Sequence, residues 1–140
     1  MPYRITHKPK LEQQDIVAIT APLQQFNLSN GPAPEYLSVV LTVEDDEGNI
    51  HGGLFGRCAY RWMHVEYLVV PSDARHQHLG TQLMQQAETI AREHGCIGAY
   101  LDTLHFQALT FYRKLGYTIF GELEERGGGP HTFLKKRLDR

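Results

Sequence analysis

Residues Val65–Leu83 read VEYLVVPSDARHQHLGTQL. The β-branched and aromatic run Val65–Val70 predicts a strand. Pro71 turns the chain, a short polar loop carries Arg75, and a helix is entered through Gly80. A helix N-terminus directly after a strand end sets out a row of unsatisfied backbone N–H groups together with the positive end of the helix dipole. That arrangement favours an anion, and a phosphate in particular.

Working outward, Leu79, Leu83, Ala87, Ile90, Ala91 and His94 mark one face of the helix. Glu88 and Arg92 form an i,i+4 pair, and Gly95 predicts the stop. Ile97–Leu101 is a second strand, so Val65–Leu101 reads as a β-α-β crossover whose strands run parallel. Upstream, Leu37–Val43 and Ile50–Tyr60 flank the turn-forming DDEGN and predict an antiparallel hairpin. Gly52 and Gly53 within it suggest a bulge or a close backbone approach. Downstream, Phe106–Leu115 is a second helix ended by Gly116, and Tyr117–Leu123 and Thr132–Leu138 are closing strands. At the N-terminus, Tyr3–Thr6 suggests a short strand and Leu11–Phe26 an amphipathic helix that Pro22 should kink or break. Asn27–Pro34 then reads as a breaker. The fold expected is α/β, a mixed sheet of six or seven strands with helices on both faces.

The 140 residues suit a single domain over 1–140, with no repeat or low-complexity linker. A net charge of −2 gives the chain no electrostatic reason to hold nucleic acid. The basic cluster Lys135, Lys136 and Arg137 reads as a solvated strand edge. No apolar run is long enough to span a bilayer, and the first residues lack a signal-peptide pattern, so a reduced cytoplasmic setting is expected. Cys58 and Cys96 form no CxxC pair and read as small buried hydrophobes. His76-x-His78 with His64 and Glu66 could be imagined as a zinc set, but no HExxH or paired CxxC supports it, and no metal is expected. Acidic residues at Glu44–Glu47 and Glu122–Glu125 fit solvated turns better than a field for a cationic amine.

The element order and the segments VVPSDARHQHLGTQL and HFQALTFYRKLGY resemble the GNAT superfamily of N-acetyltransferases, from about Val39 to Leu138. The family's loop pattern, Arg/Gln-x-x-Gly-x-Gly/Ala, falls on Arg75-His76-Gln77-His78-Leu79-Gly80. Arg75 and Gly80 match, whereas His78 stands where the pattern has its first glycine. The resemblance implies that Arg75, His76, Gln77, His78, Leu79, Gly80 and Thr81 hold the pyrophosphate of acetyl-CoA, mainly through backbone amides. A histidine serves there provided the backbone does not need a positive φ. Leu68, Val69 and Val70 would line the thioester, with an amide near Leu68 or Val69 meeting the acyl oxygen. Many relatives carry an Asn at the position of His105, which would otherwise contact the cofactor.

The resemblance also places Tyr112 as the acid that protonates the departing thiolate. A thiol near about 8.5 and a phenol near about 10 are well matched for that transfer. The alternative for Tyr112 is packing, a role that Phe111 and Leu115 can fill. Strict alternation puts His64, Glu66, Leu68 and Val70 on one face of the strand, and Val65, Tyr67 and Val69 on the other. The family's base or water-positioning carboxylate lies near this spot, making Glu66 the candidate and His64 its partner or relay. Asp102 and Thr103 would open on the same cleft, and Phe55, Tyr60 and Trp62 would line the acceptor side or the core. No Ser or Cys sits in a nucleophile motif, in keeping with direct transfer. The function implied is acetyl transfer from acetyl-CoA, or another short acyl-CoA, to a small-molecule or peptide primary amine, in a chain that pairs as a homodimer. The rival is a non-catalytic acyl-CoA-binding sensor or interaction module on the same fold.

Overall fold

The structure is a computed structural model that describes residues 2–104, 109–127 and 129–140. It divides into two compact units, Met1–Ala33 and Pro34–Arg140. The first holds one helix, α1, Gln13–Asn30, none of whose residues is buried. Tyr3–Thr6 forms no strand. The helix runs through Pro22 without a break, because a helix lacking buried residues leaves the carbonyl freed by proline open to water. It also runs through Asn27–Asn30, where Asn30 Nδ2 donates to the Phe26 carbonyl (2.9 Å), and chain direction changes only at Gly31.

The second unit is a six-stranded mixed sheet in the order β1-β2-β3-β4-β6-β5. Its strands are β1 Leu37–Glu44, β2 Ile50–Ala59, β3 Trp62–Val69, β4 Gly98–Thr103, β5 Thr118–Glu124 and β6 Pro130–Arg137. Helix α2, Leu79–Glu93, joins β3 to β4, which are parallel as the crossover predicts; every other pairing is antiparallel. Helix α3, Leu109–Lys114, precedes β5. With Tyr3–Thr6 outside it, the sheet has six strands, and the basic run of β6 lies inside the sheet between β4 and β5.

The core lies where α2 meets the inner face of the sheet. Leu83, Met84, Ala87 and Ala91 of α2 are buried with Val39, Leu54, Cys58, Met63, Val65, Ala99, Leu101 and Leu134. Gly95 takes φ +89°, and the bonds Gly95 N–H to Arg92 O and Cys96 N–H to Ala91 O close the helix in a Schellman-type end. Glu88 keeps its expected i,i+4 pairing with Arg92 and adds buried partners. It is 4% exposed, accepts Tyr117 Oη and Lys136 Nζ (both 2.8 Å), and has Arg92 farther off at 3.9 Å. A carboxylate so deep is retained only because both oxygens are satisfied. Cys58 and Cys96 are buried, and burial with a hydrogen bond to Cys96 pushes the Cys58 thiol up to about 12, so it is no nucleophile.

Candidate acyl-transfer site

Three rungs hold β3 to β4: Trp62↔Gly98, Met63↔Ala99 and His64↔Tyr100. Beyond them β3 runs on to Val69 beside β2 and β4 to Thr103 beside β6, and among the described residues no further rung joins β3 to β4, so the two strands part into a cleft. The third rung is packed: the His64 and Tyr100 rings stack at 4.6 Å and 2°, and Trp62 meets Tyr100 edge-on at 6.4 Å. Gly98 leaves room for this, since a Cβ there would collide with the Trp62 ring.

A bulge lies where the strands part. On the β2 side the register passes from Gly56↔Val65 to Phe55↔Tyr67, leaving Glu66 as the extra residue. The bulge reverses the alternation of side chains, which corrects the expectation from strict period two. Met63 and Val65 face the core before it, and Leu68 and Val70 pack against the core after it. His64 and Glu66 therefore share the outer face with the exposed Tyr67 and Val69, not with Leu68 and Val70. Among the described residues, the backbone edge of β3 from Glu66 to Val69 that would face β4 has no strand partner. An acyl oxygen can be met by such an edge.

From Val69 the chain passes Pro71, makes a 3₁₀ turn over Ser72–Gln77, and enters α2 through His78. His78 adopts φ +58° and ψ +30°, left-handed backbone. The glycine of the family pattern is thus replaced at a position that does take a positive φ, and the proviso attached to a histidine there is not met. The α2 end nonetheless keeps its amides available. No described side chain caps it, its first turn holds no carboxylate, and the first helical bond is Gln82 N–H to His78 O (3.1 Å). The amides of Leu79, Gly80 and Thr81 precede that bond. A Cβ at Gly80 would lie 3.1 Å from the Phe111 ring and 3.5 Å from Val70 Cγ2, so strand end, α2 and α3 converge on this glycine. The expectations for His105 and for the side chains of Arg75 and His76 fall outside the described residues.

Tyr112, on α3, meets Phe111 edge-on at 5.1 Å and Tyr117 at 6.3 Å. Burial, and then the charge of Asp102, push its phenol above the usual range, so it is protonated at neutral pH. Glu66 accepts two hydrogen bonds from the Arg57 guanidinium, Nε at 2.9 Å and Nη2 at 3.2 Å. His64 Nε2 lies 3.7 Å from Asp102 Oδ1. The other oxygen of Asp102 bonds to His131 Nε2 at 2.7 Å. Arg57 and His131 were not singled out by sequence, since nothing local in GRCA or PHTF marks either residue. Phe55 pairs with Tyr67 on the outer face, and Tyr60 is a turn residue at φ +51°. No cluster of three or more metal-ligating side chains occurs among the described residues.

Comparison with known proteins decides the lineage of this site. The model of the acetyltransferase (GNAT) domain family matches residues 37–119. The chain belongs to the GNAT acetyltransferase family. It is 36% identical over 122 residues to an acetyltransferase of Agrobacterium fabrum, covering 86% of this chain and 89% of that one. It is 40% identical over 94 residues to the blasticidin-S acetyltransferase of Streptomyces morookaense, covering 65% and 69%. A crystal structure of a candidate acetyltransferase from Agrobacterium tumefaciens superposes with a TM-score of 0.90 at 32% identity, covering 96% and 99%. As a GNAT chain it is an acetyltransferase on the mixed α/β acyl-CoA N-acyltransferase fold. No described helix is long and apolar enough to cross a membrane.

Proposed function

We propose that the chain, acting over 1–140 as one N-acetyltransferase domain, moves the acetyl group of acetyl-CoA to a primary amine by direct attack. The observation that carries this reading is the parting of β3 and β4 after the His64↔Tyr100 rung, with the uncapped α2 N-terminus at the far end of β3. The pyrophosphate sits on the amides around Gln77–Thr81, with Arg75 and His76 beside it. The thioester lies along Leu68, Val69 and Val70, and its oxygen takes a hydrogen bond from the open edge of β3. Tyr112 donates to the leaving sulfur. In a water-poor cleft the thiolate is itself more basic, which keeps it matched to a phenol raised by burial.

Glu66 and His64 face the acceptor. With both carboxylate oxygens held by Arg57, Glu66 suits positioning of the ammonium or its water better than taking its proton. The acceptor is a small amine of the kind the Streptomyces relative is named for. The test is release of free thiol from acetyl-CoA over blasticidin S, an aminoglycoside, spermidine, amino acids and a short peptide. Acetylation of at least one primary amine is expected. Silence across the panel, with acetyl-CoA still raising the melting temperature, would leave the acyl-CoA-binding sensor as the reading.

A further inference from the structure

Asp102 lies two residues beyond Tyr100 and so faces the same way, just past the last rung that joins β3 to β4. Phe133 of β6 is its register partner, and His131 lies two residues from Phe133 on that same face. The His131 ring stacks on Phe133 at 4.7 Å, which fixes its plane. Its Nε2 lies 2.7 Å from Asp102 Oδ2. A carboxylate oxygen accepts this bond, so Nε2 carries the hydrogen, and in the neutral ring the lone pair is then left on Nδ1. Among the described residues no other group bonds to this imidazole. The pair is partly shielded yet reachable, with side chains 25% and 39% exposed.

We propose that His131 is the general base for the acceptor amine, with Asp102 as the residue that sets its tautomer. The inference rests on the acetyltransferase reading and names the group that reading leaves open, since Glu66 is occupied by Arg57. An exposed ion pair contributes about 0–1 kcal/mol, so stability does not account for two histidines converging on one carboxylate at the mouth of the cleft. Among the described residues, the charged and titratable groups on this side of the pair are His64 and Glu66 from β3, Tyr100 from β4, Arg57 from β2, Lys135 from β6 and Tyr112 from α3.

The acceptor ammonium gives its proton to His131 Nδ1, and the freed lone pair forms the N–C bond to the thioester carbonyl. When the C–S bond breaks, sulfur takes the Tyr112 proton. The second surplus proton of the nitrogen passes through water to restore Tyr112. The imidazolium returns its own proton to solvent, so the sum is amide, coenzyme A thiol and one proton.

Two measurements test this. In ¹⁵N-labelled wild-type protein, with His131 assigned by loss of its signals in His131→Gln, imidazole spectra above neutral pH should show the Nε2–H tautomer; an Nδ1–H tautomer overturns the proposal, and this arm needs no acceptor. In the thiol-release assay with the best amine of the panel, His131→Gln should lower kcat about 100-fold near about pH 7, with the KM for acetyl-CoA within about twofold. That loss should shrink towards about pH 9.5, where the acceptor arrives already deprotonated. The Asp102→Asn, His131→Gln double variant should lose little more than His131→Gln alone. An unchanged kcat, or a loss that is the same at every pH, overturns it. Wild-type protein that binds acetyl-CoA and acetylates no amine of the panel overturns instead the reading on which the inference stands.

Discussion

Tyr112 and His78 carry the account at the scale of single residues. Tyr112→Phe removes one oxygen from a half-buried ring that packs on Phe111 and Tyr117, so folding and acetyl-CoA affinity should change little. Turnover should fall about 10- to 100-fold, and an unchanged kcat would remove the acid role. His78 holds left-handed backbone, which costs about 1–2 kcal/mol for a side-chain-bearing residue. Replacement by Gly relieves that strain but loosens the unfolded chain by about 0.5–1 kcal/mol. Urea unfolding of His78→Gly should therefore show a gain of up to about 1 kcal/mol, and a loss above about 1 kcal/mol would mean that the imidazole itself is needed for stability. Sequence made the loop position legible, because the pattern of arginine and glycine falls in one short segment. It could not show that His78 needs positive φ, since that depends on how the 3₁₀ turn delivers the chain into α2.

The bulge and the buried carboxylate belong to the scale of elements. The strands along the chain, the parallel crossover and the hairpin were legible because hydrophobic periodicity and turn residues are local signals, whereas the place of β6 between β4 and β5 was not. The bulge at Glu66 was not: period-two alternation has no mark for one extra residue, which is visible only against the partner strand β2. The pairing of Asp102 with His131 was hidden for the same reason, being fixed by β4–β6 register across a long sequence separation. The i,i+4 spacing showed the Glu88–Arg92 pair but not which face of α2 is covered, so the burial of Glu88 and its bonds to Tyr117 and Lys136 were not legible. Glu88→Ala should cost about 3 kcal/mol, since it leaves Lys136 and the Tyr117 hydroxyl without their partner in a buried setting. Chemical denaturation checks this, and a loss under about 1 kcal/mol would show that water takes over the site. Gly98→Ala should strike Trp62 and disturb the His64–Tyr100 rung, and a crystal structure with that stack unmoved would contradict its role in holding the mouth of the cleft.

At the scale of the whole molecule, the phenols of Tyr112 and Tyr117 set an alkaline limit. Burial raises both above their unfolded value, and for Tyr117 the Glu88 carboxylate adds to the effect. The folded state therefore binds more protons than the unfolded state once pH passes about 10, and stability must fall as pH rises through that window. Tyr117→Phe should be less stable at neutral pH but should lose stability less steeply above about pH 10. Equal slopes for the two proteins would contradict the assignment. Below that window neither phenol contributes to the pH dependence.

The central claim is that acetyl-CoA occupies the opening between β3 and β4 with its phosphates on the N-terminus of α2. Amide spectra of ¹⁵N-labelled protein titrated with acetyl-CoA test it most directly. The largest shifts are expected on Gln77–Thr81 and Leu68–Val70, with β1 unmoved. Saturable binding whose shifts bypass both segments, or no shifts at millimolar acetyl-CoA, would contradict it.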